Sequence, residues 1–152
     1  MNGVYISEER IKNGIEKTKN PGRMELVSSE PIILLDGAHN ITGVKALRQT
    51  IKKDFTYDRL ILIIGILADK NIKKMLKEII PIADEIIVTQ SQNKRAMDAE
   101  KLNEMIKNKK SIVKKEISEA IKYSKEIAKK NDLICITGSL FTVGEAKNHL
   151  II

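Results

Sequence analysis

Four stretches of this chain are apolar almost without a break: residues 32–35, 60–65, 85–89 and 133–137. Short runs of this kind, rich in Ile, Leu and Val, are expected of strands buried on both faces, as in a parallel sheet. Between them the apolar residues fall at helical spacing. Val44, Leu47 and Ile51 share one side of a helix over about residues 42–53. Ile72, Met75, Leu76 and Ile79 do the same in a helix closed by Pro81, and Leu102, Met105 and Ile106 in one capped by Asp98. Ser118 is expected to start the longest helix, with Ile121, Ile127 and Ala128 turned inward. Met24, Leu26 and Val27 suggest a short strand before the first apolar run, and Ile112 and Val113 a brief edge strand. Residues 141–150 read as a last short element. Strand, loop and helix thus alternate about four times, which predicts a three-layer, Rossmann-like α/β domain. Its sheet is expected to be mostly parallel, of about six strands, with helices on both faces.

The first twenty residues fit this pattern less well. They are polar, with Ile6, Ile11 and Ile15 as apolar positions and Ser7 as a helix N-cap. Gly14 weakens that helix, and Asn20-Pro21-Gly22 ends it with turn chemistry. We read residues 1–20 as a polar extension or linker helix and residues 21–152 as the core of one domain.

The polar residues collect where the apolar runs end. The exits carry Asp36, Gly37, His39 and Asn40, then Asp69 and Lys70, then Lys94 and Arg95, then Gly138 and Ser139. In a parallel sheet these exits share one edge, where ligands of open α/β sheets bind. Simpler roles are open for each: Asp36 or Asn40 as a helix cap, Lys70 as a solvated helix start, Gly138-Ser139 as a tight turn.

Composition narrows the functional classes. The chain has 152 residues, 27 basic and 20 acidic, for a net charge of +7. Most basic residues are lysines spread over helix faces, and two phenylalanines and three tyrosines give no stacking platform for bases. A nucleic-acid protein is therefore not expected. The single cysteine, Cys135, lies inside an apolar run and reads as a buried small hydrophobe, suited to a reducing cytoplasm. Two histidines, His39 and His149, make no metal cluster. The longest apolar run, residues 60–68, is too short for a bilayer, which needs about 20 residues. No exit loop has the G-x-G-x-x-G or Walker A pattern, so the chain has no phosphate cradle of its own.

Several blocks together carry a resemblance. Pro21-Gly22-Arg23-Met24-Glu25, Leu34-Leu35-Asp36-Gly37-Ala38-His39-Asn40, Asp69-Lys70, Arg95-Ala96 and Gly138-Ser139-Leu140-Phe141-Thr142-Val143-Gly144-Glu145 resemble the C-terminal, glutamate-ligase domain of folylpolyglutamate synthase/dihydrofolate synthase. That domain belongs to the Mur ligase superfamily. The resemblance covers nearly the whole chain, with small departures at Asn71, Ile41, Phe141 and Lys19-Asn20.

It implies an ATP-dependent ligase that joins L-glutamate to a folate or dihydropteroate through an acyl phosphate. It also implies that the phosphate loop and the Mg2+ ligands belong to an N-terminal ATPase domain, absent from this chain, which alone would be inactive. By the same resemblance Arg23 and Asp36 contact ATP, with Asp36 on a ribose hydroxyl or orienting Arg23. His39 is the catalytic candidate, placed where glutamate meets the acyl phosphate. Ser139 serves the glutamate side with its hydroxyl and adjacent N–H groups. Lys70, Arg95 and Asn40 are supporting residues. The alternatives are another Mur-type amino-acid ligase domain and a stand-alone nucleotide or amino-acid binding module.

Overall fold

The structure, a computed structural model, describes residues 21–150. The helix expected to start at Ser7 lies outside the described residues. Strand β1 is Glu25–Ser29, β2 Ile32–Asp36, β3 Leu60–Ile64, β4 Glu85–Val88, β5 Ile112–Val113 and β6 Leu133–Thr137. They form one six-stranded sheet in the order β1-β2-β6-β3-β4-β5. Only β1 runs antiparallel, paired to β2 across a short turn; every other pairing is parallel. The last strand in sequence therefore sits at the centre of the sheet, between β2 and β3.

Among the described residues five helices cover the sheet: α1 Ile41–Asp54, α2 Ile72–Ile79, α3 Ala99–Glu104, α4 Ile117–Ile127 and α5 Leu140–Leu150. Alternation along the strands decides which face each apolar side chain serves. Leu62 and Ile64 of β3 pack with Val44, Leu47 and Ile51 of α1, Met75 and Leu76 of α2 and Leu102 of α3. Ile61 and Ile63 turn to the other face and meet Ile117 and Ile121 of α4 and Val143 and Ala146 of α5. All five β3 residues are buried, so truncating one to Ala removes core contacts on a scale of about 2–5 kcal/mol. The three-layer α/β architecture expected from the sequence is the one observed.

Helix starts follow short polar side chains. The Asn40 side chain accepts the Gly43 N–H at 2.8 Å. Asn71 does the same for Lys74, and Asp98 for Glu100 and Lys101. Lys52 and Lys53 close the last turn of α1, where cations suit the helix dipole. Pro81 ends α2 as expected, within a 3-10 turn Ile80–Ile82.

Helix α4 departs from expectation. It starts at Ile117, not Ser118, and its 11 residues are fewer than the 14 of α1. Ser118 is exposed, whereas Ile117 is buried, so core packing rather than a hydroxyl cap fixes the start. Glu116, at the cap position, makes no capping bond and instead accepts the Gln92 side-chain amide at 3.1 Å.

Candidate functional site

Strand topology sets the position of the site. Helices α1, α2 and α3 lie on one face of the sheet, and α4 and α5 on the other. The loops leaving β2 and β6, which are neighbours, therefore diverge to opposite faces. This is the switch-point geometry that opens a crevice at the carboxyl edge of an α/β sheet.

Asp36 ends β2 and is buried. Its two oxygens accept backbone N–H groups, Oδ2 from Met24 at 3.0 Å and Oδ1 from Ala38 at 2.9 Å. The Gly37 N–H donates to the Gly22 carbonyl at 2.7 Å. A tight turn, with φ +73° at Gly22 and +47° at Met24, is thereby clamped to the end of β2 and carries Arg23 on its outside. Glu25 holds the same turn from β1: one carboxylate oxygen accepts the Gly22 N–H at 2.8 Å and the other meets Lys147 Nζ at 2.6 Å. Arg23 is exposed and has no ion-pair partner among the described residues. The expected orienting contact from Asp36 to the Arg23 side chain is not what forms; Asp36 orients Arg23 through the neighbouring backbone.

His39 follows in the same loop. Its Nδ1 lies 2.8 Å from the Gly37 carbonyl. A carbonyl only accepts, so Nδ1 carries the proton and donates, and in the neutral ring Nε2 is the nitrogen with a free lone pair. Asn40 spends its side-chain oxygen on the α1 cap.

Ser139 leaves β6 in the next loop, and here the expectation needs correction. Its side chain is 1% exposed. The hydroxyl accepts the Thr142 N–H at 3.0 Å and bonds the Thr142 hydroxyl at 2.9 Å, which in turn donates to the Gly65 carbonyl. It caps α5 and is not offered to a ligand. What the loop can offer is backbone: the first N–H groups of a helix have no acceptor within it. Gly138 allows this close packing, with φ +107° and an added Cβ that would lie 2.5 Å from the Gly65 carbonyl oxygen.

The loops after β3 and β4 meet each other. Leu67 and Ala96 form an isolated antiparallel bridge, and the Ala68 N–H donates to the Arg95 carbonyl at 2.8 Å. This brings Arg95 to 2.6 Å and Lys70 to 3.3 Å from one oxygen of Asp69. The hydrogen bond from Arg95 is the main cause that holds the Asp69 carboxyl below its ordinary range, with Lys70 adding to it.

The structure thus gathers the turns bearing Arg23, Asp36 and His39 with the Gly138–Ser139 loop, which touches Gly65 at the head of the loop bearing Lys70. Sequence reasoning missed Thr142 and Asp69 as organisers, though Ser-x-x-Thr at a helix start is a capping pattern and Asp69 adjoins Lys70. It also missed Thr137 and Ser91, whose buried hydroxyls have no hydrogen-bond partner among the described residues. Thr137 pairs in register with Asp36 on one side and Ile64 on the other, so it stands at the middle of the strand ends. Among the described residues no His, Cys, Asp and Glu group could hold a metal ion, and no helix is long and apolar enough to cross a membrane.

Comparison with known proteins follows these loops. Residues 22–140 match the family described as Mur ligase, glutamate ligase domain. The chain is 32% identical over 149 residues to a dihydrofolate synthase/folylpolyglutamate synthase of Bacillus subtilis, covering 98% of this chain but 35% of that protein. The Mycobacterium tuberculosis folylpolyglutamate synthase complexed with ADP superposes with a TM-score of 0.89 at 26% identity, over 97% of this chain and 36% of that one. Escherichia coli FolC in complex with DHPP and ADP gives 0.88 at 28% identity, over 96% and 35%. The chain therefore spans about a third of the length of these relatives. With the match running from the Gly22 turn through the Ser139 loop, the chain belongs to the Mur ligase glutamate ligase domain family.

Proposed function

We propose that this chain is the C-terminal glutamate-ligase part of an ATP-dependent folylpolyglutamate synthase/dihydrofolate synthase. In that reaction ATP phosphorylates a folate or dihydropteroate carboxylate, releasing ADP. The amine of L-glutamate then attacks the acyl carbon, inorganic phosphate leaves, and the amine gives up a proton. The observation that carries the reading is the double clamp on the Arg23 turn. Asp36, Gly37 and Glu25 hold residues 22–24 against the strand end, and the Arg23 guanidinium has no ion-pair partner among the described residues. A planar fork carried on a turn fixed in this way suits phosphate or ribose oxygens.

Each remaining residue has a role that its surroundings allow. His39 Nε2 is available to accept a proton from, or orient, the glutamate amine, because Nδ1 is held by the Gly37 carbonyl. The first N–H groups of α5, rather than the Ser139 hydroxyl, would hold a glutamate carboxylate. Lys70 and Arg95 supply positive charge beside it, tempered by Asp69.

Magnesium does not fit the described residues. A hard cation wants several free carboxylate oxygens. Asp36 has given both of its oxygens to N–H groups, and Asp69 faces Arg95 and Lys70. The Mg2+ ligands and the phosphate loop are assigned to the ATPase domain of the same enzyme.

The reading is tested with a chimera that joins this chain behind the ATPase part of the B. subtilis relative. We expect ADP release that requires both glutamate and either dihydropteroate or tetrahydrofolate. Arg23→Ala or His39→Ala should lower it about a hundredfold while the fold is retained. A folded chimera with no such turnover, or one indifferent to both substitutions, overturns the proposal.

A further inference from the structure

Away from the strand exits, a groove of about 690 Å3 runs along α2 and the segment that follows α3. Its floor is apolar: Leu76 and Ile80 on one side, Met105 and Ile106 on the other, with Pro81 at the end of α2. Its rim is basic. Lys73 and Lys77 line it from α2, and Lys107 from the segment after α3. None of these three has an ion-pair partner among the described residues, whereas nearby Lys45 and Arg48 both pair with Glu78. The fourth lysine of the lining, Lys109, donates to the Pro81 and Ala83 carbonyls at 3.1 and 2.5 Å. It ties residue 109 to the end of α2 and fixes the width of the groove there. Glu104 supplies the one carboxylate, so four cations against one anion leave the lining at +3. None of these residues belongs to the loops around Arg23, His39, Lys70 or Gly138.

We propose that this groove binds a small amphipathic organic anion: an aryl or alkyl body carrying a carboxylate or sulfonate. The volume lies in the range of small-molecule sites, roughly 300–1,000 Å3. The apolar floor takes the body by excluding water from both surfaces. The unpaired ammonium groups at the rim take the charge, and Glu104 is the one carboxylate of the lining that offsets their attraction. A neutral apolar compound would satisfy the floor alone, and a simple anion such as phosphate the rim alone. The pairing of the two selects a molecule with both. The site is independent of the proposed ligase chemistry.

The test titrates the full 152-residue chain with 8-anilinonaphthalene-1-sulfonate, and separately with uncharged N-phenyl-1-naphthylamine. Binding is followed by fluorescence and by the 13C-methyl signals of labelled methionines. We expect one saturable sulfonate site that shifts the Met105 methyl and leaves that of Met24, near the strand exits, unmoved. The double variant Lys77→Glu, Lys107→Glu changes only exposed positions. It should weaken the sulfonate about tenfold and the neutral probe less than about twofold, with an unchanged thermal melt. Three outcomes overturn the proposal: no saturable binding, equal binding of both probes in the native chain, or a response at Met24 instead of Met105. If the double variant melts early, Lys73→Gln with Lys107→Gln decides the same point, and sulfonate affinity unchanged there also overturns it.

Discussion

The Asp36 carboxylate reaches back to the Met24 N–H at 3.0 Å, joining residues twelve apart in sequence at the end of the first parallel strand. Its other oxygen holds Ala38, so one buried side chain fixes the turn that presents Arg23 and the loop that presents His39. We expect Asp36→Ala to strand two N–H donors and cost about 2–3 kcal/mol, read from urea unfolding. Asp36→Asn keeps an acceptor for one donor but sets its own NH2 against the other. It should cost less and still free the turn, seen as faster amide exchange at Met24 with Ala38 little changed. Equal protection at Met24 in Asp36→Asn and the native chain would show that Glu25 and Gly37 suffice to hold the turn.

Two glycines of the last β–α unit should respond in opposite directions. Gly138 has φ +107°, and an added methyl would lie 2.5 Å from the Gly65 carbonyl oxygen, a backbone atom that cannot swing aside. We expect Gly138→Ala to destabilise by at least about 2 kcal/mol. Gly144 lies within α5, and a methyl there meets nothing within 4 Å among the described residues. Gly144→Ala should stabilise by about 0.5–1 kcal/mol through helix propensity alone. Thermal melts of the two single variants check both signs.

The contrast between them shows what the sequence could and could not convey. Hydrophobic period and run length located β2, β3, β6, α1 and α2 to within a residue or so, because burial on two faces leaves little choice of register. The ring of polar exits was legible for the same reason: parallel strands must release their loops on one edge. The direction of each polar side chain was not legible. Ser139 looks like a ligand contact in sequence, yet its hydroxyl is consumed by Thr142, three positions on. Asp36 looks like a partner for the Arg23 guanidinium, yet it satisfies backbone donors, which a carboxylate does wherever a buried turn leaves them unpaired. The start of α4 escaped because a buried Ile117 outweighs the capping preference of Ser118. The order of strands was also out of reach, since local patterning cannot say that the last strand inserts at the centre.

At the opposite edge of the sheet, Asp132 links the strand start to the chain before it. It is fully buried, and Arg59 Nη2 lies 2.6 Å from its Oδ2. The Lys129 N–H donates to the same oxygen at 2.9 Å. Burial alone would raise the carboxyl, but the Arg59 hydrogen bond, the Lys129 N–H and the Arg59 charge together outweigh it and hold it below its ordinary value. A lowered value in the fold means stability that is complete above the unfolded carboxyl range, near pH 4, and is lost as pH falls through the lower folded value. We expect Asp132→Asn to lose about 2 kcal/mol at pH 7, because the charged hydrogen bond to the partly exposed Arg59 is lost. The gap should narrow as pH falls from about 4 through the lower folded value, at which the native carboxyl also becomes neutral. Urea midpoints at pH 7, 5 and 3 for both proteins measure this; a gap that stays constant across the series would show that the charge of Asp132 is not what matters.

Thr137 and Thr142 pose the sharper test of how the strand exits are built. Both hydroxyls are buried, but the Thr142 hydroxyl donates to the Gly65 carbonyl at 3.0 Å and meets Ser139, whereas the Thr137 hydroxyl has no partner among the described residues. Valine has the shape of threonine with a methyl in place of the hydroxyl, so the two substitutions isolate the hydrogen bonds. Thr142→Val leaves the Gly65 carbonyl and the Ser139 hydroxyl short of a partner and should cost about 1–3 kcal/mol. Thr137→Val removes a buried polar atom without a hydrogen-bond partner among the described residues and should be neutral or stabilising by up to about 1 kcal/mol. The melting temperature of Thr137→Val should therefore hold or rise while that of Thr142→Val falls. A loss of stability in Thr137→Val would instead show that its hydroxyl is satisfied within the fold.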